Sequence, residues 1–189
     1  FTNITVVDIG TWVPFGNDCR FMINDDSTLP DVDSWILIEY KGHRICNFAD
    51  CSAPSDFELP TKNIDLNLTD FASGASGFPS CFAPLHGEKK VMEIADAKRA
   101  TILQKIRQLA EKTNARSYVP FAGFFVPSHP NDADVLRLNK QNTPEEAIQF
   151  LHRYLPNLKT WKPFPGGVFD LCTLTGPPSP PEETYLKKS

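Results

Sequence analysis

Two hydrophobic rhythms divide this chain. Residues 35–40, Trp-Ile-Leu-Ile-Glu-Tyr, are apolar on both faces, as in a buried strand, and Lys41-Gly42 supplies a tight turn with the residue that tolerates positive φ. A second strand over residues 43–49 follows, so residues 35–51 read as a hairpin running into Asp50 and Cys51. Ahead of it, residues 4–8 and 20–23 predict two more strands, the first of them β-branched. Residues 12–18, with Pro14 and Gly16, read as a loop, and residues 24–33 are turn-rich. Beyond the hairpin, residues 52–62 are polar with Pro54 and Pro60 and predict a loop. Residues 64–68 alternate as a strand does and lead into Thr69-Asp70.

The period then becomes helical. From about residue 90 to 113, Met92, Ala95, Ile102, Ile106 and Leu109 recur at helical spacing, widened by Leu103 and Ala110. Lys98, Arg99, Lys105, Arg107 and Lys112 form the wet side, and Asn114 suits the left-handed end. Residues 116–120 return as a strand, completing a strand–helix–strand unit. Thr143-Pro144-Glu145-Glu146 is a capping box with Pro at the first helical position, opening a short helix that buries Ala147, Ile148 and Leu151. From residue 162 onward prolines predict an extended tail. The sum is an α/β layered domain with a mixed sheet. Its N-terminal strands have no helix nearby in sequence, so one sheet face stays bare unless another segment packs on it. On that ground the chain is expected to be part of a longer one.

Composition narrows the function classes. At 189 residues the chain suits one domain or part of a larger protein, and 41% hydrophobic with 22% charged residues is ordinary for a globular chain. A net charge of −4 gives no basic footprint for nucleic acid or an anionic membrane. The five cysteines, Cys19, Cys46, Cys51, Cys81 and Cys172, never form a Cys-x-x-Cys pair. That argues against a zinc ribbon or a disulfide framework and favours a reducing compartment.

Candidate chemistry sits where strands stop. Asp50 either caps a turn or reaches a metal or substrate on the sheet rim, and Asp70 follows its strand in the same way. His129, in Pro127-Ser128-His129-Pro130, follows a strand by several residues and either overhangs the same rim or is a surface loop residue. Two carboxylates and a His suit a hard or borderline metal such as iron or zinc, with Cys46 and Cys51 as softer alternatives. Gly74-Ala75-Ser76-Gly77 lacks phosphate-loop spacing and is either a plain turn or a close backbone approach to a ligand. His43, at the hairpin turn, reads as surface, His86 as a loop residue and His152 as structural. No His-x-His spacing exists.

Longer words carry more. Arg20-Phe21-Met22-Ile23, Glu39-Tyr40-Lys41-Gly42-His43, Asp70-Phe71-Ala72, Gly74-Ala75-Ser76-Gly77-Phe78-Pro79, Pro120-Phe121-Ala122-Gly123 and Ser128-His129-Pro130 resemble the CMP-N-acetylneuraminate hydroxylase family. The similarity runs in one order from about residue 1 to 175. It implies a cytoplasmic Rieske-type monooxygenase that converts the N-acetyl group of CMP-sialic acid to N-glycolyl, with electrons from NADH through cytochrome b5. It also implies an N-terminal domain with a 2Fe–2S Rieske cluster joined to a domain similar to metallo-β-lactamases. Residues 1–162 would be the later half of that αββα sandwich and residues 163–189 a Pro-rich tail.

In this resemblance Asp50 matches a metal-bridging aspartate, Asp70 ligates or orients a ligand, and His129 ligates or contacts substrate. Ser73, Gly74, Ser76 and Gly77 would meet the nucleotide sugar. The Rieske Cys-x-His and Cys-x-x-His pairs and the His-x-His-x-Asp-His motif are absent. They and the remaining ligands are expected on upstream polypeptide or a separate subunit, with an electron-transfer protein as a further partner. Ala122 stands where related hydrolases place a His ligand, and alanine cannot bind a metal. Two alternatives remain: a hydrolase of the metallo-β-lactamase class, which a metal-bound hydroxide would serve, and a non-catalytic scaffold.

Overall fold

A computed structural model describes residues 5–26, 33–49, 51, 59–72, 78–122 and 129–178. Among these the strands are β1 (Val13–Phe15), β2 (Cys19–Asp25), β3 (Ser34–Tyr40), β4 (His43–Ala49), β5 (Leu66–Thr69), β6 (Ser117–Pro120) and β7 (Lys159–Thr160). The helices are α1 (Ala83–His86), α2 (Glu88–Lys112), α3 (Ala133–Leu138) and α4 (Pro144–Tyr154). The strands make one sheet in chain order, antiparallel from β1 to β4 and parallel from β4 to β7. The mixed α/β expectation is met.

Most predicted elements form where the pattern placed them. The hairpin closes at Lys41 and Gly42, both with positive φ. The long helix ends as foreseen. Asn114 turns left-handed at φ 47°, and the Asn114 and Ala115 N–H groups donate back to the Glu111 and Ala110 carbonyls. Thr143 and Glu146 make both bonds of the capping box. Residues 5–8, predicted as a strand, form none, and Val6 is almost fully exposed. The chain pairs instead at β1, inside the predicted loop. Pro14 is tolerated there because β1 is the sheet edge, where a missing N–H removes no ladder bond.

Register decides what is covered. Met22, Leu37, Cys46, Asn67 and Tyr118 are successive cross-strand partners and share a face, and all five are buried. Leu109 of α2 packs with Met22, Trp35, Leu37, Cys46 and Phe48. Further along, Ile106 and Ala110 of α2 join Ala147 and Leu151 of α4 over Tyr118. The helices thus cover one face. On the other, Phe21, Ile23, Ile36, Ile38 and Ile45 stay partly exposed, as the sequence foretold. No helix among the described residues is long and apolar enough to cross a membrane.

Candidate functional site

Strand direction assembles the rim. β2, β4, β5 and β6 all run the same way, because β3 is antiparallel to both its neighbours and the later strands are parallel. The ends of those four strands and the start of β3 therefore lie along one edge, the edge at which open α/β sheets bind ligands. Asp26 follows β2, Asp33 precedes β3, Cys51 follows β4 and Asp70 follows β5.

Three of these converge. One ligand atom from each of Asp26, Asp33 and Cys51 lies within 4.8 Å of the other two. Asp26 and Cys51 are each 1% exposed, and Asp33 is half-buried. Local structure holds them in place. The Asp26 N–H donates to the Asp33 carbonyl at 2.9 Å, closing the β2–β3 end. On β4 the register shifts between Asn47 and Ala49. Ala49 takes φ 44°, its N–H donates to Asn47 Oδ1 at 2.9 Å, and the Cys51 N–H donates to the Phe48 carbonyl at 2.8 Å. Such a bulge re-aims the chain beyond it, and here the Cys51 side chain is turned into the core rather than along the strand.

Asp70 is buried beside this rim. Its N–H donates to the Ala49 carbonyl at 2.6 Å, and its Oδ1 accepts the Ala72 N–H at 2.8 Å. Beneath it lies Tyr118, whose phenol burial pushes well above its usual range. The neighbouring Thr69 hydroxyl pulls it down, and the Asp70 charge raises it further. The Tyr118 hydroxyl therefore stays protonated. Thr69 adjoins it, yet neither hydroxyl completes a hydrogen bond of ordinary geometry within the protein among the described residues.

The expected set is only partly visible. Asp50, Ser73, Gly74, Ser76 and Gly77 lie outside the described residues. His129 is exposed. Its Nδ1 accepts the Asn131 N–H at 3.2 Å and caps the short 3-10 turn that leads into α3. Asp26 and Asp33 were hidden in sequence because a polar stretch between two strands looks like a turn. The signal that could have found them is the pairing of β2 with β3 directly before the β4 end.

The donor set suits a borderline transition metal, iron and zinc alike. Two carboxylates and one thiolate offer mixed hard and soft ligation, and two of the three are shielded from water.

An α/β sheet with carboxylates and a thiol gathered at its strand ends is the class this geometry defines. No family model matches the chain. It is nonetheless similar along nearly its whole length to curated proteins named cytidine monophosphate-N-acetylneuraminic acid hydroxylase. The Mus musculus protein is 39% identical over 195 residues, covering 99% of this chain and 33% of its own length. That of Asterias rubens is 39% identical over 170 residues, 89% of this chain and 26% of the relative. The Xenopus laevis protein is 40% identical over 174 residues, 92% and 29%. The chain is similar to these hydroxylases over about a third or less of their length.

Proposed function

We propose that this chain is part of an oxidoreductase that hydroxylates the N-acetyl group of a CMP-sialic acid or a similar nucleotide sugar. The observation that carries the proposal is the similarity to the named hydroxylases over 99% of the chain. The rim supports it physically. An unactivated acetyl methyl is beyond the oxidising power of any side chain, and a bound iron would supply that power.

In this proposal Asp26, Asp33 and Cys51 hold the metal, and Asp50, next to Cys51 in the chain, remains in the ligand set. Asp70 orients groups at the rim from its fixed place against Ala49 and Ala72. Tyr118, kept protonated, can donate but cannot act as a base near neutral pH. Ser73, Gly74, Ser76, Gly77 and His129 remain proposed substrate contacts or ligands. The 2Fe–2S Rieske cluster, the NADH and cytochrome b5 supply and the first half of a metallo-β-lactamase-like sandwich, of which residues 1–162 would be the later half, belong to the same proposal and would be carried by polypeptide or partners beyond these residues, in a cytoplasmic setting.

The test is turnover of CMP-sialic acid to its N-glycolyl product by the full protein that contains this chain, with and without Cys51→Ala and Asp26→Asn. Loss of both product and bound iron in the variants is the expected result. A protein that binds zinc alone and hydrolyses an ester or phosphodiester would favour the hydrolase. Unchanged metal content and turnover in both variants would leave only a scaffold.

A further inference from the structure

The opposite edge of the sheet, where β4 and β5 begin, carries a second set of reactive groups. Asp65, just before β5, is buried and doubly held: its Oδ1 accepts from Arg116 Nη1 at 2.6 Å and its Oδ2 from the Arg44 N–H at 2.9 Å. The same Oδ2 lies 3.7 Å from His43 Nδ1. Across the ring, His43 Nε2 lies 3.6 Å from the Sγ of Cys172, an exposed thiol. Thiol, imidazole and carboxylate thus stand in line, in the order nucleophile, base and orienting group.

The loop that presents Cys172 is itself fixed. Asp170 Oδ1 accepts the Cys172 N–H at 2.7 Å and the Thr173 N–H at 3.4 Å, and Asp170 and Thr175 form a backbone bridge. Gly176 is pressed so closely on the Trp161 ring that a Cβ there would lie 2.5 Å from it. A cavity of about 500 Å³ opens alongside, sharing Arg116 and Leu174 with these surroundings and lined also by Lys159, Tyr154 and Asn157. Of the charged groups that line it, Arg116 is paired with Asp65 and Glu111 with Arg107, whereas Lys159 makes no ion pair among the described residues and is the cation left for an anionic guest.

We propose that Cys172 is a nucleophilic thiol with His43 as its base and Asp65 as the residue that orients His43, and that it forms mixed disulfides with small anionic disulfides of the glutathione class. The Cys172 proton passes to His43 Nε2, and the thiolate attacks one sulfur of the incoming disulfide. The new S–S bond forms as the old one breaks, and the other half leaves as a thiolate that takes the proton back from His43. A carboxylate of the guest lies toward Lys159. A free thiol reverses the exchange, so no further oxidant is consumed.

Cys81 is the internal reference. It is also exposed, but no imidazole is hydrogen-bonded to its sulfur among the described residues, whereas Cys46 and Cys51 are buried. The test is site-resolved alkylation of the native chain by iodoacetamide at neutral pH and, on a separate unalkylated sample, exposure to glutathione disulfide. Cys172 is expected to react about tenfold faster than Cys81 or more, and to be the site that gains glutathione. His43→Gln should bring Cys172 to the Cys81 rate while Cys81 is unchanged and Cys46 stays unlabelled, which reports an intact fold. Equal rates at Cys172 and Cys81 in the unaltered chain would overturn the proposal without any variant. So would a Cys172 rate indifferent to His43→Gln.

Discussion

The side-chain amide of Asn67 donates to the Thr113 hydroxyl at 2.8 Å, joining the middle of the sheet to the end of α2 with both residues buried. The hydroxyl in turn donates to the Leu109 carbonyl at 2.8 Å. Thr113→Val removes both bonds and strands a buried amide, which should cost about 1–3 kcal/mol in urea unfolding. Asn67→Leu combined with Thr113→Val leaves nothing stranded and should recover most of that loss. A double variant as unstable as the sum of the two single ones would show that the pair is not what ties α2 to the sheet.

The start of α4 depends on Thr143, whose Oγ1 accepts the Glu146 N–H at 3.1 Å while Glu146 Oε2 accepts the Thr143 N–H at 2.8 Å. Thr143→Ala should lower stability by about 1 kcal/mol. Because α4 buries Ala147 and Leu151 against Tyr118, circular dichroism and the Tyr118 environment should change together on unfolding.

Glu39 sits on β3 between Arg20 of β2 and Arg44 of β4, its direct cross-strand partners. Burial raises its carboxyl, but the guanidiniums of Arg44 and Arg20 more than offset this and hold it below the usual range. A depressed carboxyl stabilises the fold above its unfolded value of about 4.3 and loses that contribution as pH falls through the folded value. Glu39→Gln should therefore flatten the decline in urea midpoint below about pH 4, with little change in slope at neutral pH. An acid limb identical to that of the unaltered chain would contradict this role.

The hairpin, α2, the capping box and the β5–α2–β6 unit were legible because each is written in consecutive residues: a turn glycine, a helical stripe, Thr143 with Glu146 three positions on. What escaped was made by pairing between distant stretches. Asp26, Asp33 and Cys51 meet only because β2, β3 and β4 lie in register, and His43 meets Cys172 only because the C-terminal loop folds back over Trp161. The β-branched residues 5–8 show the converse. Their local preference for a strand is real, but no strand among the described residues pairs with them.

The proposed oxygen chemistry rests on the rim as a metal site, and cobalt(II) titration of the chain examines it most directly. A thiolate ligand gives cobalt an intense near-ultraviolet charge-transfer band that oxygen ligands alone do not. The account predicts such a band, saturating at one equivalent, abolished by Cys51→Ser and weakened by Asp26→Asn. Cobalt that binds without the band, or a band that survives Cys51→Ser, would contradict it.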